Sequence, residues 1–424
     1  MLAVVSESGG PFGTAAAEEF KLAFLTYGFA NWGGGLDFIR HLAGALDTAG
    51  SDAGLAPTLM VASEDVASRL KRILSPIKGL LLQACDGQPL RWVPPPVIDP
   101  QAIRHAVLET SNTWPVVECG SAFASQLRLS KELGCRVAMP CFFPPARVSP
   151  IPWVGYVYDF QHVHLPDNFS AAEKLARDAH FSSMMGKARH VLVNARAIAE
   201  DAMALYPGSA ARLHVIPFSP YPRRDWLTNQ EDVRLKYGIT RPYFVISNQF
   251  WRHKDHATAF RAFRQYLDRG GRAMLVCTGT TTDYRFPHYF DELQDLIREL
   301  ELSGHVSIVG HIPKLDQIAL LRQSLALVQP TLSEGGPGGG ATFDAVALGV
   351  PVVLSDIKVN LEACVGDVTW FRAGDASHLA DALLAIPKER LPAADAELWA
   401  AGEDRRRICG NFLVHVAREA AREA

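Results

Sequence analysis

The sequence has no CxxC pair, and its seven cysteines are scattered, with no histidine at metal-ligand spacing. That argues against a cysteine-based zinc module or a dithiol redox motif, and it reads as reduced, mostly structural thiols in a cytosolic protein. No apolar run reaches the roughly 18 residues that a membrane-spanning helix needs. The N-terminus lacks a basic stretch before an apolar one, so no secretory signal is expected. Neither sign of charge is in excess: 42 basic residues stand against 45 acidic ones, which gives no reason to expect nucleic acid as a partner. No nucleophile elbow or other triad signal occurs, and no repeat of solenoid period is visible. What remains is a chain of 424 residues, 48% of them hydrophobic, long enough for two cored domains.

What the chain does have is an alternation of short apolar runs with helical patterns. KLAFLTYGF (21–29) reads as a first strand. Gly33, Gly34 and Gly35 follow, and then a helix with Leu36, Ile39, Leu42 and Leu46 on one face. Strand, glycine turn and helix form the opening unit of a doubly wound parallel sheet. PTLMVAS, LRWVPPP, WPVVECG, CRVAMP, WVGYVYD, HVLVNA and LHVIPF continue it. The proline-rich stretch VIPFSPYPRRDWLTNQ (215–230) reads as a linker. A second set begins beyond it: YFVISNQ, RAMLVCTG, VSIVGH, LALVQPT, VPVVLSD and VTWF. Phe260, Phe263 and Leu267 mark one helical face between these strands, and Phe290, Leu293, Ile297 and Leu300 another. The expected division is a tail over 1–19, one Rossmann-like domain over 20–218, a second over 219–395, and a polar helix over 396–424. Two open sheets joined by a linker predict a cleft beyond the carboxyl ends of their strands.

The most informative stretch is LVQPTLSEGGPGGGATFDAVALGVPVVLSD (327–356). It reads as strand, acidic glycine-rich loop, helix over 342–348, and strand. Five glycines between Glu334 and Ala341 mark a place where backbone turns tightly or approaches a ligand closely. A glycine loop feeding a helix N-terminus offers N–H groups and a positive dipole end to phosphate. Glu334 and Asp344 add carboxylates on either side, which suit hydroxyls. Phosphate together with hydroxyls suggests a nucleotide sugar.

This stretch resembles the donor-site signature of retaining glycosyltransferases of family 4, in which two glutamates flank a glycine-containing loop. DAVALG here matches the family's EAMALG, so Asp344 takes the place of the second glutamate. Nine residues, 335 to 343, separate it from Glu334. That is a longer loop than the family's usual one, with a shorter second carboxylate. YDFQHVHLPDNFS (158–170), SNQFWRHKDH (247–256) and TGTTTDYR (278–285) are similar to that family too. The resemblance implies a GT-B fold: α/β, with two Rossmann-like doubly wound parallel-sheet domains facing across a cleft and the last helix crossing back to the first domain. It implies Lys254 as the cation for the leaving diphosphate. Asn248 and Gln249 stand in the same stretch. Gln249 occupies the position of a family arginine, with Arg252 as candidate replacement. Glu334 is implied at the donor sugar, Asp344 at the ribose hydroxyls, and the amides of Gly338, Gly339 and Gly340 at sugar or phosphate. Gly279 would let the nucleotide lie over a strand end, and the base would stack near His311 and Ile312. Gly34 and Gly35 are either ligand-contacting or a packed tight turn. Many family members carry a histidine followed by aspartate past a strand of the first domain. Here Tyr158 precedes Asp159, and His162 is the candidate for that histidine's role.

The function so implied is metal-independent, front-face transfer of a sugar, mannose on family grounds, from a GDP- or UDP-linked donor. The donor is a co-substrate, and no further cofactor is expected. The acceptor would be a hydroxyl of a glycan or lipid-linked molecule in bacterial surface polysaccharide synthesis. Such a protein is expected in the cytoplasm or at the inner face of the membrane, in peripheral contact with it. A nucleotide-sugar 2-epimerase of GT-B fold and a catalytically inactive nucleotide-sugar-binding subunit are the alternatives.

Overall fold

The computed structural model describes residues 19–29, 34–50, 53–63, 100–108, 114–120, 122–229 and 231–423. The expected tail up to residue 18, Gly33 and the run LRWVPPP lie outside them. Thirteen strands are described. Seven build the first sheet: β1 Phe20–Leu25, β2 Leu55–Ser63, β3 Val116–Gly120, β4 Val137–Cys141, β5 Trp153–Val157, β6 His190–Val193 and β7 Arg212–Val215. Six build the second: β8 Tyr243–Ser247, β9 Met274–Thr278, β10 Val306–Gly310, β11 Leu327–Gln329, β12 Val352–Ser355 and β13 Val368–Phe371. Pairing is parallel throughout, from Phe20 against Leu55 in the first sheet to Ser355 against Phe371 in the second. All five residues of β4 and of β9 are buried, as central parallel strands covered on both faces should be. The expected α/β class with two parallel sheets is what the structure has.

The strand orders place the cleft. The first sheet runs β3-β2-β1-β4-β5-β6-β7 and the second β10-β9-β8-β11-β12-β13. The winding reverses between β1 and β4 in one sheet and between β8 and β11 in the other. At such a reversal neighbouring connections depart to opposite faces and leave a crevice at the carboxyl ends, where α/β sheets bind ligands.

Two helices fix the frame. Gly35–Gly50 buries Ile39, Leu42 and Leu46 on the first sheet. The long helix Asp395–Arg422 follows the second sheet in sequence, yet its Cys409, Leu413, Val416 and Ala417 complete the core of the first. Gly410 is required there, because a Cβ would overlap the Ala45 carbonyl oxygen. Arg406 donates from Nε to the Gly44 carbonyl at 2.9 Å, which satisfies a buried guanidinium group on the same face.

The helix after the glycine loop spans Gly339–Ala347, beginning earlier than the residues 342–348 read from the sequence. Gly338 caps it in the left-handed conformation, φ 61°. A glycine there carries no steric cost, so the helix starts at once.

Candidate functional site

Lys254 and Glu334 meet at the reversal of the second sheet. β8 and β11 are neighbours, so the segments leaving them run side by side. After β8 a single 3-10 turn, Arg252–Lys254, ends at Asp255, which takes φ 48° and caps the next helix by accepting from the Thr258 N–H at 3.2 Å. After β11, Leu332 N–H and Thr331 Oγ1 both bond to the His253 carbonyl, at 2.8 and 3.3 Å. These ties hold Lys254 Nζ 2.5 Å from Glu334 Oε1, with both side chains largely buried at 12% and 9% exposure. A charge-assisted pair this sheltered is strong but exchangeable for a ligand's charge. Gly339 gives the carboxylate its room: a Cβ there would stand 3.0 Å from Glu334 Oε2.

The other expected residues divide into pins and exposed groups. Asn248 Nδ2 donates to Gln329 Oε1, and Gln329 Nε2 donates to the Gly338 carbonyl at 2.7 Å, so Asn248 is part of a buried chain of hydrogen bonds that sets the loop. The Gly338 N–H donates to Asn360 Oδ1 at 2.8 Å and is thereby used inside the protein. Gly340 meets nothing that a Cβ would touch. Gly279, at φ 134°, is glycine because a Cβ would overlap the Asn248 carbonyl. Gln249 is half-buried beside Asn248, and Arg252 is exposed, with its guanidinium 4.8 Å above the Phe286 ring. His311 is exposed, whereas Ile312 is buried in the core of the second sheet. Gly35 packs so closely on Phe29 that a Cβ would overlap its carbonyl, and the Gly34 carbonyl accepts from the Phe38 N–H at 3.0 Å. The side of that glycine turn facing Phe29 is thus closely packed.

Asp344 is buried and its Oδ2 accepts from Lys314 Nζ at 2.6 Å. Lys314 also stands 3.5 Å from Asp37 of the helix Gly35–Gly50, so one ammonium links the two halves of the molecule. Burial would lower the Lys314 ammonium, but the Asp344 and Asp37 carboxylates outweigh it and hold it above its ordinary value. Burial pushes the Asp344 carboxyl up, opposed by Lys314. Lys314 lies 30 residues from Asp344 in sequence and opens a different helix, Lys314–Gln323, so no local spacing announces the pair.

Across the cleft, Asp159 and His162 are organised by Arg177, on the helix Ala171–Lys187. The guanidinium pairs with Asp159 Oδ1, donates from Nε to His162 Nδ1 at 3.1 Å, and lies 5.0 Å over the Tyr158 ring. His162 Nε2 faces Asp178 Oδ1 at 2.9 Å. Acceptance at Nδ1 puts the proton on Nε2, and burial followed by Arg177 lowers the ring's affinity for a second one. Both ring nitrogens are therefore engaged, so in this state His162 braces the loop and offers no nitrogen to a sugar. Arg177 was not singled out from the sequence, since it carries no motif of its own.

The reversal of the first sheet is lined by rings. Tyr27, past β1, lies 5.5 Å from Phe143, past β4, and Phe142 stacks on Tyr158 at 5.4 Å and 6°. His180 stands against Phe142, Phe143 and Tyr158. All five are half-buried, leaving an apolar wall open to the cleft. The glycine loop closes against its rim: a Cβ on Gly335 would overlap the Tyr158 carbonyl, and one on Gly336 would stand 3.0 Å from Asn194 Cβ.

The sequence profile of the family described as Glycosyl transferases group 1 matches residues 229–398. The O-antigen chain mannosyltransferase RfbU of Salmonella typhimurium is 23% identical over 238 residues, a match that takes in 56% of this chain and 61% of that protein. A glycosyltransferase of Rickettsia africae superposes with a TM-score of 0.57 at 13% identity, covering 96% of this chain and 99% of its own. HepE of Anabaena, solved with UDP and glucose, gives 0.53 at 14% identity over 95% and 99%. At these identities the structures speak for the fold alone, which is GT-B. The profile lies on the second sheet, so residues 229–398 match the glycosyl transferases group 1 family, within a frame of GT-B fold.

Proposed function

We propose that this protein transfers a sugar from a nucleoside-diphosphate donor to a hydroxyl of a glycan or lipid-linked acceptor, with retention at the anomeric carbon. The observation that carries the reading is the sheltered Lys254–Glu334 pair at the reversal of the second sheet, beside the N-terminus of the helix Gly339–Ala347. When donor enters, its diphosphate takes Lys254 from Glu334. The ammonium then meets charge growing on the leaving phosphate, assisted by the amides and dipole of the helix start. Glu334, released, accepts from hydroxyls of the sugar, and Asp344 from those of the ribose. Residues 219–395 hold the donor and residues 20–218 the acceptor. In this division Arg177, Asp159 and His162 set the loop that meets the sugar.

The ring-lined wall of the first sheet favours transfer over epimerisation. A sugar's C–H face stacks on aromatic surface, and a 2-epimerase has no second substrate to place there. RfbU is named for mannose transfer to O-antigen and HepE was solved with UDP and glucose; a mannosyl donor linked to GDP or UDP, used in surface polysaccharide synthesis, follows from those relatives as the reading to test.

A thermal-shift panel of UDP, GDP, ADP and dTDP identifies the base, because a ligand that binds only the folded state raises the melting point. Transfer with the matching donor is then expected to persist in EDTA, since Lys254 and the helix start supply the charge stabilisation. Loss of transfer in chelator with recovery on adding magnesium or manganese would overturn the metal-independent mechanism. Turnover of donor without acceptor would assign the epimerase, and nucleotide binding without any turnover the inactive subunit.

A further inference from the structure

His190, His214 and Glu419 come together at the edge of the first sheet away from the cleft. His190 is the first residue of β6, at the end opposite the carboxyl termini where the cleft lies, and His214 stands on the neighbouring edge strand β7. Glu419 reaches them from the helix Asp395–Arg422. One ligand-capable atom from each lies within 4.8 Å of the other two. From these contacts we propose a divalent-cation site for a first-row metal of the zinc type, which clasps the last helix to the sheet.

Three features of chemistry support it. His190 Nδ1 and His214 Nε2 face each other at 2.9 Å, so two ring nitrogens already stand within the span of one coordination sphere. Tetrahedral zinc with Zn–N bonds of about 2.0–2.1 Å separates its ligand atoms by roughly 3.3 Å, an opening that a small rotation of the half-buried His214 provides. The remaining nitrogen of His190, Nε2, stands 3.2 Å from Glu423 Oε2. A carboxylate behind a histidine in this way fixes the tautomer with the proton on Nε2 and the lone pair on Nδ1, the arrangement that metal-binding histidines use. Two imidazoles and a carboxylate form a donor set suited to zinc, with water at the fourth position.

The proton count closes. With His190 protonated on Nε2, His214 Nε2–H donates to His190 Nδ1. On metal binding His214 moves that proton to its own Nδ1, and no proton leaves the neutral pair. Arg212 is the competing cation, with Nη1 2.6 Å from Glu419 Oε1 and 2.5 Å from Glu423 Oε1. It is more than half exposed and can keep Glu423 while releasing Glu419. A solvent-open hollow bordered by Trp153, Lys187, His190 and Glu423 gives the ion a way in. The sequence hides the site because its ligands are far apart along the chain, at 190, 214 and 419.

The test uses the full, tag-free chain after removal of metal by chelator. Titration with zinc in a calorimeter is expected to give about one ion per chain at micromolar affinity or tighter, and cobalt in its place the intense visible bands of tetrahedral coordination. His214→Asn and Glu419→Gln, both at partly exposed positions, should each weaken binding at least tenfold, and Glu423→Gln about ten- to hundredfold. Cys364→Ser, at the one exposed cysteine among the described residues, should change nothing. Zinc should raise the melting point of the parent and leave that of His214→Asn where it was, without altering transfer below the melting range. No saturable binding at about 10 µM, or His214→Asn titrating like the parent, would overturn the proposal.

Discussion

Lys254 and Glu334 neutralise each other at 2.5 Å in this structure, and their pairing sets what each substitution should do. Lys254→Ala is predicted to lower turnover about a hundredfold, on the order of 3 kcal/mol, because a group that meets charge developing in the transition state acts differentially. Nucleotide affinity, read by calorimetry, should fall far less; equal losses in both would make Lys254 a simple binding group. A mutant that turns over like the parent would remove it from the mechanism. Glu334 and Asp344 should separate in the same assays. On the proposal that it holds the ribose, Asp344→Asn is expected to raise the Michaelis constant for donor and weaken free nucleotide with turnover nearly kept, since a ribose contact is alike in ground and transition states. It also loosens Lys314, which then has Asp37 alone. Glu334→Gln should lower turnover while free nucleoside diphosphate, which has no sugar, binds about as before. The reverse pattern would mean that the two carboxylates exchange roles across the loop.

The helix His256–Asp268 shows what an element adds to such residues. Its N-cap, Asp255, also ends the turn that carries Lys254, so the catalytic candidate is aimed by the helix start. The same helix also carries a pH lever. His256, fully buried, stacks on Phe250 at 4.2 Å, and neither ring nitrogen has a hydrogen-bond partner among the described residues. Burial, with Lys254 adding to it, depresses the ring to about 3 from its ordinary 6.5. A depressed value means that the contribution is fully present above pH 6.5 and is lost as pH falls toward the folded value, because the unfolded chain takes up the proton first. Between pH 8 and 5 this group alone should withdraw about 2 kcal/mol. His256→Leu is predicted to flatten that limb of the stability curve in urea titrations at pH 5, 6.5 and 8; an unchanged acid limb would assign the loss to other groups, His41 first among them. Elements of this kind were largely legible in the sequence, since every strand of the second sheet falls within an apolar run and Phe260 and Phe263 do face the core. What was not legible has a common cause. Lys314, Arg177 and Asp37 act on residues distant in sequence or on the opposite half, and a single sequence shows spacing but no such proximity. The five loop glycines left open a tight turn or a ligand approach, and at Gly335 and Gly336 the close approach is to protein, the Tyr158 carbonyl and Asn194 Cβ.

Those same glycines govern the molecule as a whole. The two halves touch through the Gly335 backbone beneath the Tyr158 carbonyl, through Lys314 between Asp344 and Asp37, and through Tyr284 Oη, 3.2 Å from Glu173 Oε1. Glu362 completes the contact. It leaves the second half to accept the N–H groups of Arg196 and Ala197 at 2.7 and 2.8 Å, at the start of the helix Arg196–Leu205 in the first. A carboxylate on two free amides at a helix N-terminus is the charge-assisted form of a cap, worth about 1–2 kcal/mol. Removing it should move the balance between closed and open forms by about five- to thirtyfold. Glu362→Ala is therefore predicted to enlarge the radius of gyration in solution scattering and, on the function proposed above, to lower kcat/KM for transfer, because that reading needs the ring-lined wall and Lys254 to face one another. Gly335→Ala should do the same by a separate cause, since its Cβ would collide with Tyr158. Gly304→Ala is the control, as a Cβ there meets nothing and it lies at the amino end of β10, away from the cleft. If Gly335→Ala and Glu362→Ala scatter and turn over like Gly304→Ala, closure through these contacts has no part in forming the site. If both open the molecule while saturating nucleotide restores the parent's dimensions, the donor itself supplies what the two contacts had contributed, and binding and closure are one equilibrium.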